Sequence, residues 1–197
     1  MTAPQRRDQL IGVGRQAFAE CGFDGIAMEE IAARAGVSKP VVYEHFGGKE
    51  GLYAVVCDRE LAYLGAEITE ALEGEGSRRR IERAAMALLR YVEERTDGFR
   101  ILVRDQRVTA REGTYSSLLN EAISQVAQIL AGDFERRGHD PDLAPLYAQA
   151  LVGMVSTTAT WWLDDRGLPK ETVAAHLVNL CWNGLTNLES DPQLGSA

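Results

Sequence analysis

The residues best equipped for chemistry in this chain lie together between Gly36 and Leu52, in GVSKPVVYEHFGGKEGL. Ser38, Lys39, Tyr43, His45 and Lys49 bring two hydroxyls, an imidazole and two ammonium groups into one short segment. Such groups donate hydrogen bonds to anions and to polar base edges. Only Val42 and Phe46, four apart, can hold the segment to a core as one helical face. Residues 39, 41, 43 and 45 are then left facing outward, toward something outside the chain.

The surrounding stretch, MEEIAARAGVSKPVVYEHF, explains how those groups would be held. Ile31 and Ala32 anchor a first helix, and Gly36 takes a turn where a left-handed backbone costs little. Val37 plugs the corner. Ser38 is placed to cap a second helix, and Pro40 suits its first turn because the N–H it lacks would be unpaired there anyway. This is a helix-turn-helix pattern. The second helix of such a pattern lies in the DNA major groove with its early residues at base edges. Lys39 can then donate to guanine or a phosphate, Val41 can meet a thymine methyl, and Tyr43, His45 and Lys49 can bind phosphate oxygens.

The rest of the chain reads as helices. Apolar residues recur at spacings of three and four from end to end, and no period-two alternation is sustained, so the fold class is all-α. A first helix spans about Pro4 to Glu20, with Leu10, Ile11, Ala17 and Phe18 facing in and Gly22 just past its end. After the helix-turn-helix, a longer helix runs from Lys49 to Leu72, and EGEGS (73–77) breaks it. Ser77 is placed to cap the next helix, through Val92. Others start at Phe99, run from Ser116 to Arg137 and from Asp142 to Asp164, and close the chain from Lys170 to Leu188. The expected organisation is an N-terminal head over 1–50, a larger helical body over 51–190 and a disordered tail over 191–197.

Composition narrows the classes. The formal net charge is -8, but residues 1–52 hold six Lys/Arg against seven Asp/Glu, so most of the excess acid lies beyond the head. DNA affinity must therefore come from a local cluster. Cys21, Cys57 and Cys181 are far apart, with no metal-ligand spacing, and read as small buried residues in a reducing compartment. The opening residues lack the apolar core of a signal peptide. Residues 144–163 carry no charge, yet Pro145, Gln149, Gly153 and a Ser/Thr run make them too polar for lipid on all sides. A cytoplasmic protein without membrane contact or cofactor is expected.

Residues 6–52 resemble the DNA-binding domain of the TetR (tetracycline-repressor-like) family of transcriptional regulators. The resemblance rests on Ala17-Phe18, Gly22-Phe23, Met28-Glu29-Glu30-Ile31-Ala32, Ala35-Gly36-Val37-Ser38, Val42-Tyr43, His45-Phe46 and Lys49-Glu50 with Leu52. It implies a homodimer on double-stranded DNA at an inverted-repeat operator, acting as a repressor and released by a small-molecule effector bound in the C-terminal domain. Ser38, Lys39, Pro40, Val41, Tyr43, His45 and Lys49 inherit the DNA-contact role. The family usually has Thr or Ser where this chain has Ala27, so a phosphate contact falls to a backbone N–H such as that of Met28. The missing cap costs about 1 kcal/mol. Arg6 and Arg7 are expected to add phosphate contacts.

Residues 144–163 and 177–188 are the charge-free stretches of two C-terminal helices. Helices apolar on more than one face must cover their own body and something else, and a four-helix bundle with a second copy does both. Gly153, Ser156, Ala159, Leu177, Cys181, Gly184 and Leu188 are the expected interface. Trp161 and Trp162 point about 100° apart, so one should face the protomer's interior and the other the seam. An apolar effector pocket would draw on Tyr91, Phe99, Tyr115, Tyr147, Met154, Trp161 or Trp162. No hydrolase, nucleotide-loop or zinc-protease motif supports an enzyme. The alternative is a helical protein-interaction module without DNA affinity.

Overall fold

A computed structural model describes residues 2–104 and 115–188. The expected tail over 191–197 lies outside the described residues. Among the described residues there are nine α-helices, one 3₁₀ turn and no strand. No described helix is long and apolar enough to cross a membrane.

The helices are α1 (Ala3–Gly25), α2 (Met28–Arg34), α3 (Lys39–Phe46), α4 (Lys49–Leu72), α5 (Ser77–Glu94), α6 (Thr96–Arg104), α7 (Tyr115–Arg137), α8 (Ala144–Asp164) and α9 (Lys170–Thr186). Helix α1 starts on a capping box: Thr2 accepts from the Gln5 backbone N–H while the Gln5 side chain accepts from that of Thr2. It leaves helical geometry at Gly22 (φ 75°), beyond the expected end at Glu20. Ser77 lies inside α5 rather than before it. Helix α6 begins at Thr96, three residues ahead of the expected Phe99. Asp140 caps a 3₁₀ turn over Pro141–Leu143 that leads into α8.

The chain divides into two compact units, and neither is a continuous half of the sequence. The first is Met1–Gly65 with Glu94–Leu118; the second is Ala66–Glu93 with Leu119–Ala197. The expected division near residue 50 follows chain order, whereas α6 returns to the first unit. Ile101 joins the core made by Leu10, Phe18, Ile26, Ile31, Val42, Leu52 and Val56. Arg104 on α6 donates to the Ala19 carbonyl of α1 at 2.8 Å. In the second unit, Val126, Leu130 and Phe134 of α7 pack with Ala144 and Ala148 of α8 and Leu185 of α9.

Polar packing inside the first unit centres on Glu60 of α4, whose side chain is 3% exposed. Its carboxylate accepts from Arg95 at 2.7 and 2.9 Å and from Arg15 of α1 at 3.3 Å. A carboxylate this buried keeps its charge only if cations and donors surround it. The exposed pair Arg59–Asp8 is the opposite case, at 2.7 Å but with both side chains at least half in water. Glu60→Ala should lower the free energy of unfolding by about 2–3 kcal/mol. Arg59→Ala should change it by about 0.5 kcal/mol or less. Urea denaturation of both variants checks the contrast; equal losses would deny Glu60 its organising role.

Candidate nucleic-acid interface

The turn from α2 to α3 fixes how α3 is presented. The Gly36 N–H donates to Ala33 and the Val37 N–H to Ala32, at 3.1 and 3.0 Å. These are the two bonds that close a helix through a left-handed residue, and Gly36 supplies it at φ 66°. Val37 packs on the head core, as the corner position predicts. Behind α3, Gly51 has a different necessity: a Cβ there would sit 1.9 Å from the Phe46 carbonyl oxygen. The start of α4 touches the end of α3 backbone to backbone.

Helix α3 buries Val42 completely and Phe46 in part, so the expected anchors hold it. Ser38, Lys39, Pro40 and Tyr43 are exposed, while Val41 and His45 are half-buried. Ser38 occupies the cap position with extended backbone, but its hydroxyl makes no cap hydrogen bond. Pro40 removes one N–H of the first turn, and the Val41 N–H is taken by the Ser38 carbonyl at 3.1 Å. Ala27 likewise caps α2 with no side-chain bond. The Met28 side chain is core, so only its backbone N–H, at that uncapped end, faces the role expected of it.

Three of the expected phosphate ligands are occupied within the chain. The Lys49 ammonium donates to the carbonyls of Phe23 and Ile26, at 2.9 and 3.1 Å, and sits 4.4 Å from the Phe23 ring centre. Arg7 donates to the His45 carbonyl at 2.6 Å and lies over the Phe46 ring. Both placements have one physical reason: the carbonyls that end a helix have no partner in that helix and attract nearby cations. Arg6 donates to Gln9 at 2.7 Å. Gln9, not foreseen from sequence, donates in turn to the Ala35 carbonyl of the turn at 3.2 Å.

Lys39 faces outward as expected, but it is paired with Glu29 of α2 at 2.5 Å. That hydrogen bond holds the ammonium pKa above its ordinary value and the Glu29 carboxyl below its own. Sequence reading missed Glu29 because it lies ten positions away on another helix.

In the second unit, the expected interface turns inward in part. Ser156, Ala159, Leu177 and Cys181 are buried in the protomer's own core. Gly184 is exposed, Gly153 and Leu188 are half-buried, and the large apolar groups of α8 and α9 that face out are Leu146, Trp161 and Leu180. The two tryptophans do point apart: Trp162 is 2% exposed and Trp161 52%. Trp162 is a core residue, its indole N–H donating to the Leu168 carbonyl at 2.9 Å, which removes it from the pocket candidates.

The other pocket candidates divide between the units. Phe99 and Tyr115 pack edge to face at 5.7 Å in the first, while Tyr91, Tyr147 and Met154 belong to the second. Tyr147 is half-buried against Phe134. The Tyr115 hydroxyl is buried without a hydrogen-bond partner among the described residues, and burial pushes its pKa up. Cys57 and Cys181 are buried as expected, but Cys21 is exposed. The described residues include no His/Cys/Asp/Glu group able to hold a metal.

An exposed recognition helix fixed by its turn to an all-α unit defines a helix-turn-helix DNA-binding regulator. Residues 10–56 match the family of bacterial regulatory proteins called tetR, and residues 77–184 match the tetracyclin repressor-like C-terminal domain. The chain belongs to the TetR family of transcriptional regulators. It is 30% identical, over 93% of its length and 84% of the relative's, to the HTH-type transcriptional activator FasR of Mycolicibacterium smegmatis. It is 31% identical to the HTH-type transcriptional repressor Rv3405c of Mycobacterium tuberculosis, over 75% of this chain and 70% of that one. The fold matches a TetR-like regulator from Rhodococcus sp. RHA1 at a TM-score of 0.82 and 25% identity, covering 95% and 100% of the two chains. AibR, solved with isovaleryl coenzyme A and operator DNA, shares the fold at a TM-score of 0.74 and 17% identity, over 89% and 97%.

The Lys39–Glu29 pair has a consequence that can be measured. Glu29→Gln frees the ammonium and removes a negative charge that would face phosphates. DNA affinity should rise about three- to tenfold at low salt and converge on the wild type as salt increases. Fluorescence anisotropy across a salt series checks it, and a fall in affinity would mean that Glu29 positions Lys39 usefully.

Proposed function

We propose that the protein is a cytoplasmic homodimer that binds an inverted-repeat operator, with one α3 in each of two successive major grooves about 34 Å apart. The observation that carries this reading is the exposed row Ser38, Lys39, Pro40 and Tyr43 on a helix whose other side is pinned by Val42 and Phe46. Lys39 reads a base edge and Val41 meets a thymine methyl. Ser38, Tyr43 and His45 bind phosphates. The committed cations Lys49 and Arg7 support α3 from behind rather than touching DNA.

A small-molecule effector sets occupancy of the operator. Tyr115 favours such a ligand, because its buried hydroxyl lies beside Phe99 with no described acceptor or donor. AibR holds both an acyl thioester and operator DNA on this fold. Repression is the expected outcome, which the Rv3405c relative shares and the FasR relative, an activator, does not. The same head can do either, since the sign depends on whether the operator overlaps the promoter or lies upstream of it.

The seam between copies runs along the outward faces of α8 and α9, through Trp161, Leu180 and Gly184. Leu180 is 65% exposed and Gly184 leaves open space where a Cβ would be. Large exposed apolar groups on these two helices are what a seam with a second copy would cover.

Two results test the reading. Operator sites selected from random DNA should be inverted repeats. Lys39→Ala should weaken binding about tenfold and relax the preference at one base pair, while Tyr43→Phe weakens all sequences alike. Lys39→Ala with unchanged affinity and preference would overturn the assignment. Separately, Leu180→Glu should give a folded monomer by light scattering and circular dichroism, with no tight binding to the repeat. A dimer of undiminished mass would move the seam elsewhere.

A further inference from the structure

The second unit carries a cleft that neither the DNA-binding face nor the aromatic effector candidates account for. It has a volume of about 520 Å³, and Gly76, Ser77, Arg78 and Arg80 from the start of α5 line one side. Gln128, Gly132, Asp133, Arg136 and Arg137 of α7 line the other, and Trp182 of α9 completes it. Four arginines stand against Asp133 in the lining and Glu82 paired with Arg78, which leaves an excess of two positive charges. The chain as a whole is at -8, so this is the reverse of its surroundings.

The arginines are held without being used up. Arg78 gives its Nε to Glu82 at 3.0 Å and Arg80 its Nε to the Gly74 carbonyl at 2.6 Å. Arg136 pairs with Asp133 through one terminal nitrogen. A guanidinium has five donors, so each keeps several for a further acceptor. Arg137 lies over the Trp182 ring at 5.5 Å. The first N–H groups of α5 emerge at the same place and add a partial positive charge. Forked donors and a helix start suit phosphate oxygens, and a half-buried indole suits a planar ring. A volume of this size is that of a small-molecule site.

We propose that this cleft binds a nucleotide-type phosphoester, its phosphates on Arg78, Arg80 and Arg136 and its base against Trp182 and Arg137. A second recess of about 320 Å³ shares Arg80, Gln128 and Ile129 with it and is otherwise lined by Thr69, Leu72, Glu73 and Gln125, with room for a neutral or cationic substituent on the phosphate. The site is separate from the DNA-binding surface, so it stands whether or not the operator model holds.

The test is isothermal titration calorimetry of the full chain with ADP, inorganic pyrophosphate and adenosine. ADP should bind saturably, and pyrophosphate and adenosine at least about tenfold more weakly. The double variant Arg80→Gln/Arg136→Gln should lose about tenfold or more in ADP affinity, and Arg136→Gln alone, at an exposed position, a smaller part. Trp182→Phe should weaken ADP but leave pyrophosphate unchanged, and Arg59→Gln should change neither. Absence of ADP binding, equal binding of pyrophosphate and ADP, or ADP affinity indifferent to both arginine variants would each overturn the proposal.

Discussion

The first unit depends on a carboxylate that cannot be left alone. Glu60 lies in the interior with almost no exposure, and its partners come from α1 and from Arg95 just ahead of α6. A buried charge with incomplete partners is far costlier than an exposed one, so the three segments are held in one arrangement. From α1 the constraint passes outward through Gln9 to the Ala35 carbonyl and through Arg7 to the His45 carbonyl. Lys49 closes the end of α1 from the start of α4. In each case a long polar side chain satisfies a carbonyl at a helix end. The recognition helix is therefore positioned by the backbone groups its neighbours leave unpaired, as well as by the apolar contacts of Val42 and Phe46.

That distribution of bonds explains what could be seen in the sequence. The Lys49–Leu72 helix and the anchors Val42 and Phe46 follow from apolar spacing and glycine breaks, which are local properties. The return of α6 to the first unit does not, because Ile101 and Arg104 find their partners some eighty positions away. The intramolecular acceptors of the cations are hidden for a related reason. A lysine near a recognition helix looks the same in sequence whether its acceptor is a phosphate or the carbonyl of Phe23.

The C-terminal helices show a second limit. A run without charge reveals that more than one face is covered, but not which residues belong to which face. Ser156 and Ala159 were small enough to suggest close approach between copies, and they turn out to permit close approach inside one copy. Rotating the assignment by about one residue, or 100°, brings Trp161 and Leu180 outward instead. Trp162 follows the same geometry inward, where its indole N–H still needs, and finds, the Leu168 carbonyl.

The charge pattern of the head has a physical implication for how it meets DNA. Each of the six Lys/Arg within residues 1–52 already has an acceptor: Arg6 has Gln9, Arg7 has His45, Arg15 has Glu60, Arg34 has Glu20 and Glu30, Lys39 has Glu29, and Lys49 has two carbonyls. A phosphate must compete with these partners, several of them carboxylates. Under the proposed binding mode, the donors that meet DNA without such an exchange are the Ser38 and Tyr43 hydroxyls. Long-range attraction to any duplex is correspondingly weak in a chain of this net charge. Binding must then rely on contacts that need exact docking, which penalises random DNA more than a matched site. An acidic regulator thus gains discrimination from the scarcity of uncommitted positive charge that lowers its general affinity.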